Sequence, residues 1–112
     1  MSVLRRTAQF EIDFLFFGTI EDYAKTVYID FRESIKKAPG SPFIRSSRGE
    51  ELTLAGHPLY HENVTIEFEY NLDESLQLPR IIETIREYAM WHLNSEKCAV
   101  LENIYSMGYF SR

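Results

Sequence analysis

An apolar residue stands at every second position from 64 to 70, and a polar residue stands at each position between. This two-residue period predicts a strand with one buried face and one solvated face. Residues 71–75 break the pattern. From about Pro79 to Leu93, apolar residues recur at helical spacing. We therefore predict that the chain is organised around a strand, a turn and a long helix within 64–94.

A second strand is predicted over Ala8–Phe17, where apolar residues again occupy alternate positions. The other side of this strand begins with polar and acidic residues, including Glu11 and Asp13. It ends with Leu15 and Phe17, so the far end of the strand is apolar on both sides. This pattern indicates a strand whose outer side carries an acidic segment followed by an apolar one.

A helix is predicted between the two strands. Thr19 is typical of an N-cap, and acidic residues follow it in the first turn. Apolar residues then continue at helical spacing from Ile20 to Ile35. A strand over 26–31 is the alternative, because that segment also alternates and has high β propensity. We favour the helix because only Ile29 departs from the apolar stripe.

The other segments carry weaker patterns. Residues 42–47 and 50–55 are predicted to be short strands, forming either a hairpin or one bent strand. Residues 56–61, which contain glycine, proline and two histidines, are predicted to be a loop. The segment 97–110 fits either a strand or a helix, and we favour the strand.

The resulting element order is β-α-β-β-α-β in one α+β domain covering residues 1–112. Two amphipathic helices are most simply buried against one face of a four-stranded antiparallel sheet, as in ferredoxin-like folds. In that arrangement, the first and third strands are neighbours at the centre of the sheet. The other face of the sheet is left open.

Composition places limits on the class of protein. The chain has 112 residues, 45% of them apolar, which is ample for a packed core. Its one cysteine, Cys98, cannot form an intramolecular disulfide and is typical of a reducing compartment. The first residues lack the apolar run of an export signal, and no apolar stretch reaches the roughly 20 residues of a membrane span. These features predict a cytoplasmic protein without membrane association.

The charge is unevenly distributed. Residues 1–48 contain eight basic and six acidic side chains, whereas residues 49–112 contain four basic and eleven acidic ones. The net charge of −5 disfavours direct nucleic-acid binding, which normally requires a basic surface.

The predicted layout places acidic residues from both central strands on the open face of the sheet. Like charges on neighbouring strands destabilise a sheet unless something offsets them. Water, basic side chains such as Arg45 and Arg48, a cation or a partner protein could do so. Carboxylates can bind hard cations, but no loop here would converge several of them. The predicted protein-binding surface consists of Glu11, Asp13, Leu15, Phe17, Glu67 and Glu69.

Another group with possible chemistry is the motif containing His57, His61 and Glu62. Two imidazoles and a carboxylate could bind a transition metal. The four-residue spacing suits a helix, but Gly56 and Pro58 argue against one. We therefore interpret the segment as a polar loop, and predict neither a metal nor a cofactor.

No catalytic set emerges from the spacing of nucleophiles, histidines and acids. The leading hypothesis is a small acidic protein-interaction module: an adaptor, inhibitor or assembly subunit. It would self-associate, as a homodimer, or bind another protein, and a basic partner fits its acidic surface. One alternative is a ligand-binding protein or enzyme of the dimeric α+β barrel type, using His57, His61 and the sheet carboxylates. The other alternative is a structural subunit of a larger particle.

Overall fold

A computed structural model describes residues 5–93, 98–101 and 110–111. A 3-10 helix, Leu72–Gln77, precedes the longest α-helix. The strands and α-helices, in chain order, are β1 (Arg5–Phe16), α1 (Ile20–Lys25), α2 (Val27–Ile35), β2 (Phe43–Leu54), β3 (His57–Asn71), α3 (Leu78–Leu93), β4 (Cys98–Leu101) and β5 (Phe110–Ser111).

The strands form one antiparallel sheet in the order β2-β3-β1-β4, and β5 also pairs with β1. The ladder between β1 and β3 runs without a shift from Arg5 opposite Asn71 to Phe16 opposite Tyr60. This confirms the prediction that the first and third predicted strands are neighbours. β3 is longer than predicted, because it begins seven residues before Val64, whereas β1 begins three residues before Ala8 and ends at Phe16.

The α+β class and the antiparallel sheet are confirmed, but the six-element ferredoxin-like order is not matched. Thr26 divides the first predicted helix into α1 and α2, so the described residues contain three α-helices. Its φ and ψ angles are −123° and −84°, which are not helical. Its hydroxyl donates to the carbonyl of Asp22 at 2.6 Å, a local bond that competes with helix continuation. The alternative strand over 26–31 is wrong, because residues 27–31 lie in α2.

Residues 43–54 form one bent strand, and the bend is a bulge between Ile44 and Ser46. The predicted loop over 56–61 is wrong, because β3 already begins at His57. Ala55 and Gly56 make the reversal alone with φ values of 52° and 81°. Positive φ at both central residues is what a type I′ hairpin turn requires.

The core lies between the sheet and the helices. Every second residue of β1 from Ala8 and of β3 from Tyr60 is buried there, together with Tyr23, Phe31 and Ile35 from the first two helices. Helix α3 contributes its apolar stripe: Leu78, Ile82, Ile85, Ala89 and Leu93. We call the helix-covered side of the sheet the inner face and the opposite side the outer face.

The end of the chain is described only in part. A strand within 97–110 is confirmed over Cys98–Leu101, which pairs with the end of β1. Residues 102–109 lie outside the described residues. In the part of the chain that the structure describes, no helix has both the length and the apolarity to cross a membrane.

Candidate functional site

The outer face carries the residues that sequence predicted to bind a protein. Glu11, Asp13 and Leu15 project from β1 and are exposed or half-buried, as are Glu67 and Glu69 from β3. Phe17 follows β1 directly and is 51% exposed. The structure thus brings five of these side chains to the outer face, and Phe17 lies just beyond the end of β1. Their role in binding stays a prediction.

The β1–β3 register keeps the acidic side chains apart. A neutral residue lies directly opposite each of them: Thr65 opposite Glu11, Asn63 opposite Asp13, Gln9 opposite Glu67 and Thr7 opposite Glu69. Like charges therefore never face each other across this ladder. The acids share the outer face as expected, but none lies directly opposite another, because alternation fixes which face a residue occupies and not which residue lies opposite it.

Two acids of β3 are compensated by arginines, and one of them also accepts a hydrogen bond from an amide. Glu67 accepts a hydrogen bond from Nε2 of Gln9 at 3.0 Å and forms an ion pair with Arg45. Glu69 accepts from Nη1 of Arg5 at 3.2 Å. Of the possible sources of compensation considered from the sequence, a basic side chain of the edge strand, Arg45, therefore contributes at Glu67. Arg45 lies in the bulge of β2.

Asp13 is held in a second small network. It accepts a hydrogen bond from Nδ2 of Asn63 at 2.8 Å, and Nε2 of His61 lies 3.3 Å from its Oδ1 atom. Glu11 differs from the other acids, because it is exposed and forms no ion pair with any described residue. Glu11 is accordingly accessible to a partner.

An apolar segment continues the outer face beyond the acids. Leu15 lies opposite His61, and the next outer residue of β3, Leu59, lies opposite Leu52 of β2. Leu54 at the hairpin tip is 65% exposed. The predicted apolar end around Leu15 and Phe17 thus extends along the hairpin, a feature that could not be recognised while residues 56–61 were assigned to a loop.

The histidine motif does not converge. His57 and His61 both project from the outer face, but four residues of extended strand separate them by about 13 Å. Glu62 projects from the inner face. Among the described residues, no cluster of three or more histidine, cysteine, aspartate or glutamate side chains could hold a metal ion. His57, His61 and Glu62 therefore do not form one site, and their proximity in sequence no longer argues for ligand binding or catalysis by these histidines.

Sequence reasoning missed the buried carboxyl group of Glu62, which is 3% exposed. The hydroxyl of Tyr60 donates a hydrogen bond to Oε2 of Glu62. Neither Oε1 of Glu62 nor the hydroxyl of nearby Tyr23 has a hydrogen-bond partner among the described residues. The available signal was the alternation itself, because extending it backwards from Val64 places Glu62 and Tyr60 at inward positions.

Burial controls the protonation of this cluster. Desolvation raises the pKa of Glu62, while the hydrogen bond from Tyr60, the nearby His61 and the Ser47 hydroxyl act in the opposite direction. Desolvation, together with Glu62, also raises the pKa of Tyr60 and of Tyr23. The three groups form a buried acidic cluster that favours its protonated state.

Glycine is required beside this cluster. Gly49 lies opposite Glu62 in the β2–β3 ladder. A Cβ atom at position 49 would lie 1.7 Å from the hydroxyl oxygen of Tyr60. The absence of a side chain therefore lets the tyrosine ring lie directly under β2.

Comparison with known proteins gives no family assignment. No family model matches the chain, and no curated protein matches it. A de novo designed protein, Foldit4, matches with a TM-score of 0.36 and 14% identity, over 88% of this chain and 94% of that one. An aminopeptidase PepT from Bacillus cereus matches with a TM-score of 0.41 and 16% identity. The match covers 95% of this chain but 30% of the aminopeptidase. Neither similarity is close enough to support an argument about fold or function.

Proposed function

We propose that this protein is a small acidic cytoplasmic protein-interaction module, acting as an adaptor, inhibitor or assembly subunit through the outer face of its sheet. The observation that carries the proposal is the contrast between the two faces. The helices cover the inner face, whereas the outer face presents acids beside an apolar segment that includes Leu15, Leu59 and Leu52.

The outer face has the composition of an interaction surface. Burial of its leucines against a partner would supply most of the affinity, since apolar contacts dominate the centres of interfaces. The acids would govern partner choice and association rate by attracting basic groups. A basic protein surface is therefore the favoured partner, and a second copy of this chain would need to place its own basic side chains on the acids.

The acids differ in their availability to such a partner. The side chain of Glu67 is 15% exposed and already engaged by Gln9 and Arg45. Glu11 is exposed, and the side chain of Glu69 is 47% exposed. We assign recognition mainly to Glu11 and Glu69, and a structural role to Glu67.

The proposal also includes the fold type and the cellular compartment. The strand order and the antiparallel pairing support a modified ferredoxin-like sandwich in which the first helix is divided. Cys98 is buried, and the chain has no second cysteine with which it could form a disulfide, which suits a reducing cytoplasmic environment.

The test is sedimentation velocity of the wild type and of Glu11→Lys combined with Glu69→Lys, alone and with a basic protein such as a histone as probe. We expect the double variant to bind the probe more weakly, and we expect wild-type binding to weaken at 1 M salt, where the Debye length is about 3 Å. Glu83→Lys combined with Glu87→Lys is the matched control, since both residues are exposed on α3.

The control variant has the same total charge as the test variant but leaves the outer face unchanged. Equal loss of binding in both variants would mean that net charge, rather than this face, attracts the probe. Salt-independent, unassociated wild-type protein would contradict the proposal directly.

A further inference from the structure

Strand β2 lies at the end of the strand order and has β3 as its one strand neighbour among the described residues. All but one of its twelve residues are exposed. Such a strand presents a row of backbone N–H and C=O groups that can pair with another strand. The edge is long enough to accept a partner strand of ordinary length.

Part of this edge is regular. The bulge between Ile44 and Ser46 distorts its beginning, and bulges commonly protect edge strands from pairing. From Ser46 to Leu54 the pairing with β3 continues without another shift. The nine-residue segment 46–54 is therefore a straight pairing edge that the bulge does not protect.

The charges on this segment are self-complementary, and from them we infer that β2 pairs antiparallel with β2 of a second copy, with Gly49 on the two-fold axis. In a symmetric antiparallel pair, the central residue lies opposite its own copy, and residues equally distant from the centre lie opposite each other. Centring on Gly49 places Arg48 of each copy opposite Glu50 of the other.

Neighbouring registers lack this match. Centring on Arg48 places two arginines opposite each other, and centring on Glu50 or Glu51 places two glutamates opposite each other. Centring on Ser47 creates no pair of opposite charges. Directly opposed unlike charges stabilise a strand pair, and like charges destabilise it. Of the five centres from 47 to 51, Gly49 is the one that forms ion pairs without repulsion.

The side chains that this register needs are available. Arg48 and Glu50 are exposed, and neither forms an ion pair with another described residue. Both project from the outer face, opposite Asn63 and His61 of β3. The dimer would join two sheets edge to edge and leave both outer faces open, so it goes beyond the proposed function and can fail independently of it.

The experiment measures the dimer dissociation constant by sedimentation equilibrium for the wild type, Arg48→Glu, Glu50→Arg and the double swap. Each single variant replaces two attractive pairs with two repulsive ones, so we expect dimerisation to weaken by about tenfold or more. The double swap restores attraction in both pairs and should dimerise like the wild type. Arg80→Glu and Glu87→Arg on α3 are the charge-matched controls and should leave the dimer unchanged.

Mixing the two single variants gives the sharpest test. The Arg48→Glu protein is acidic at both positions and the Glu50→Arg protein is basic at both, so unlike charges face each other when one pairs with the other. Two poorly dimerising proteins should therefore form a 1:1 heterodimer. A monomeric wild type, single variants that dimerise normally, or a mixture that fails to combine would each overturn the inference. Dimerisation that is lost in Glu11→Lys with Glu69→Lys, but kept in every Arg48 and Glu50 variant, would overturn it while supporting the outer face.

Discussion

Glu62 and Glu67 lie on the same strand, yet their side chains have opposite environments. Glu62 faces the inner side, where burial raises its pKa and Tyr60 is its hydrogen-bond donor. Glu67 faces the outer side, where Arg45 and Gln9 bind it. Burial thus raises the pKa of the inner carboxyl group, while the outer carboxylate is paired with a cation.

The contrast shows that the face of the strand on which an acid lies determines how easily its carboxyl group ionises. Residues of odd number in β3 face a solvated surface where an acid can stay ionised at little cost. Residues of even number face a medium that stabilises charge poorly, so an acid there is favoured in its protonated form. The effect of a substitution on the stability of one face can therefore be compared with that of a reference substitution on the other face.

The largest effect is expected from Phe68→Ala. Phe68 is fully buried on the inner face, and its ring lies 6.1 Å from that of Phe10. The lost burial and the resulting cavity should lower the free energy of unfolding by about 3–5 kcal/mol, much of the stability of a small domain. Phe43→Ala is the reference, because Phe43 is 46% exposed and lies opposite Glu67. Urea denaturation of both variants should separate them clearly, and equal midpoints would contradict the assignment of the inner face.

A smaller effect is expected from Glu62→Gln, and it should depend on pH. The folded state raises the pKa of Glu62 above its ordinary value of 4.5, so the unfolded chain releases this proton first as pH rises. The contribution of Glu62 to stability is complete below that value and is lost as pH rises through the folded pKa. Glutamine cannot ionise, so the variant should gain stability relative to the wild type between acidic and neutral pH.

Denaturation of both proteins at several values from about pH 4 to about pH 8 would measure this difference, since this range begins below the ordinary pKa of 4.5 and extends well above it. Glu67→Gln serves as its reference on the outer face. Parallel stability curves for the wild type and Glu62→Gln would show that Glu62 ionises equally easily in the folded and unfolded states.

The smallest effects belong to the outer face itself. Glu67→Gln removes the ion pair with Arg45 and should cost about 0.2–1 kcal/mol, because such pairs are weak near solvent. Glu69→Gln should cost less, since the side chains of Arg5 and Glu69 are 69% and 47% exposed. Thermal unfolding at low and high salt would check both values, and both differences should shrink as salt screens the pairs.

The sequence predicted much of the architecture because alternation is a strong signal in strands that bury one face. The strands predicted over 8–17 and 64–70 are present, although β1 ends at Phe16, and the predicted outer-face residues within these strands lie on the outer face. Alternation does not show which buried residues contact one another. Phe14 and Phe68 are both buried on the inner face, but Phe14 lies opposite Glu62 and Phe68 opposite Ala8. The two phenylalanines are therefore about 20 Å apart along the sheet.

Other features were inaccessible to pattern reading for physical reasons. Glycine and proline at 56 and 58 indicate a loop, but Pro58 lies beyond the end of β1, where its missing N–H group leaves no ladder incomplete. The helical spacing of apolar residues continues on both sides of Thr26, so the interruption of the helix at this residue could not be recognised from the pattern. Arg45, which pairs with Glu67, lies in a bulge that no local sequence pattern predicts.

The register of β1 has a consequence for the order of folding. β2 and β3 are joined by a two-residue turn and can pair soon after they are synthesised, whereas Arg5 pairs with Asn71 and Phe16 with Cys98. Closing such long loops makes folding slow. We therefore expect the β2–β3 hairpin to form first and β1 to join it late. Until then the apolar side chains of β1 remain exposed in the growing chain. We therefore expect chaperones to bind this segment during synthesis.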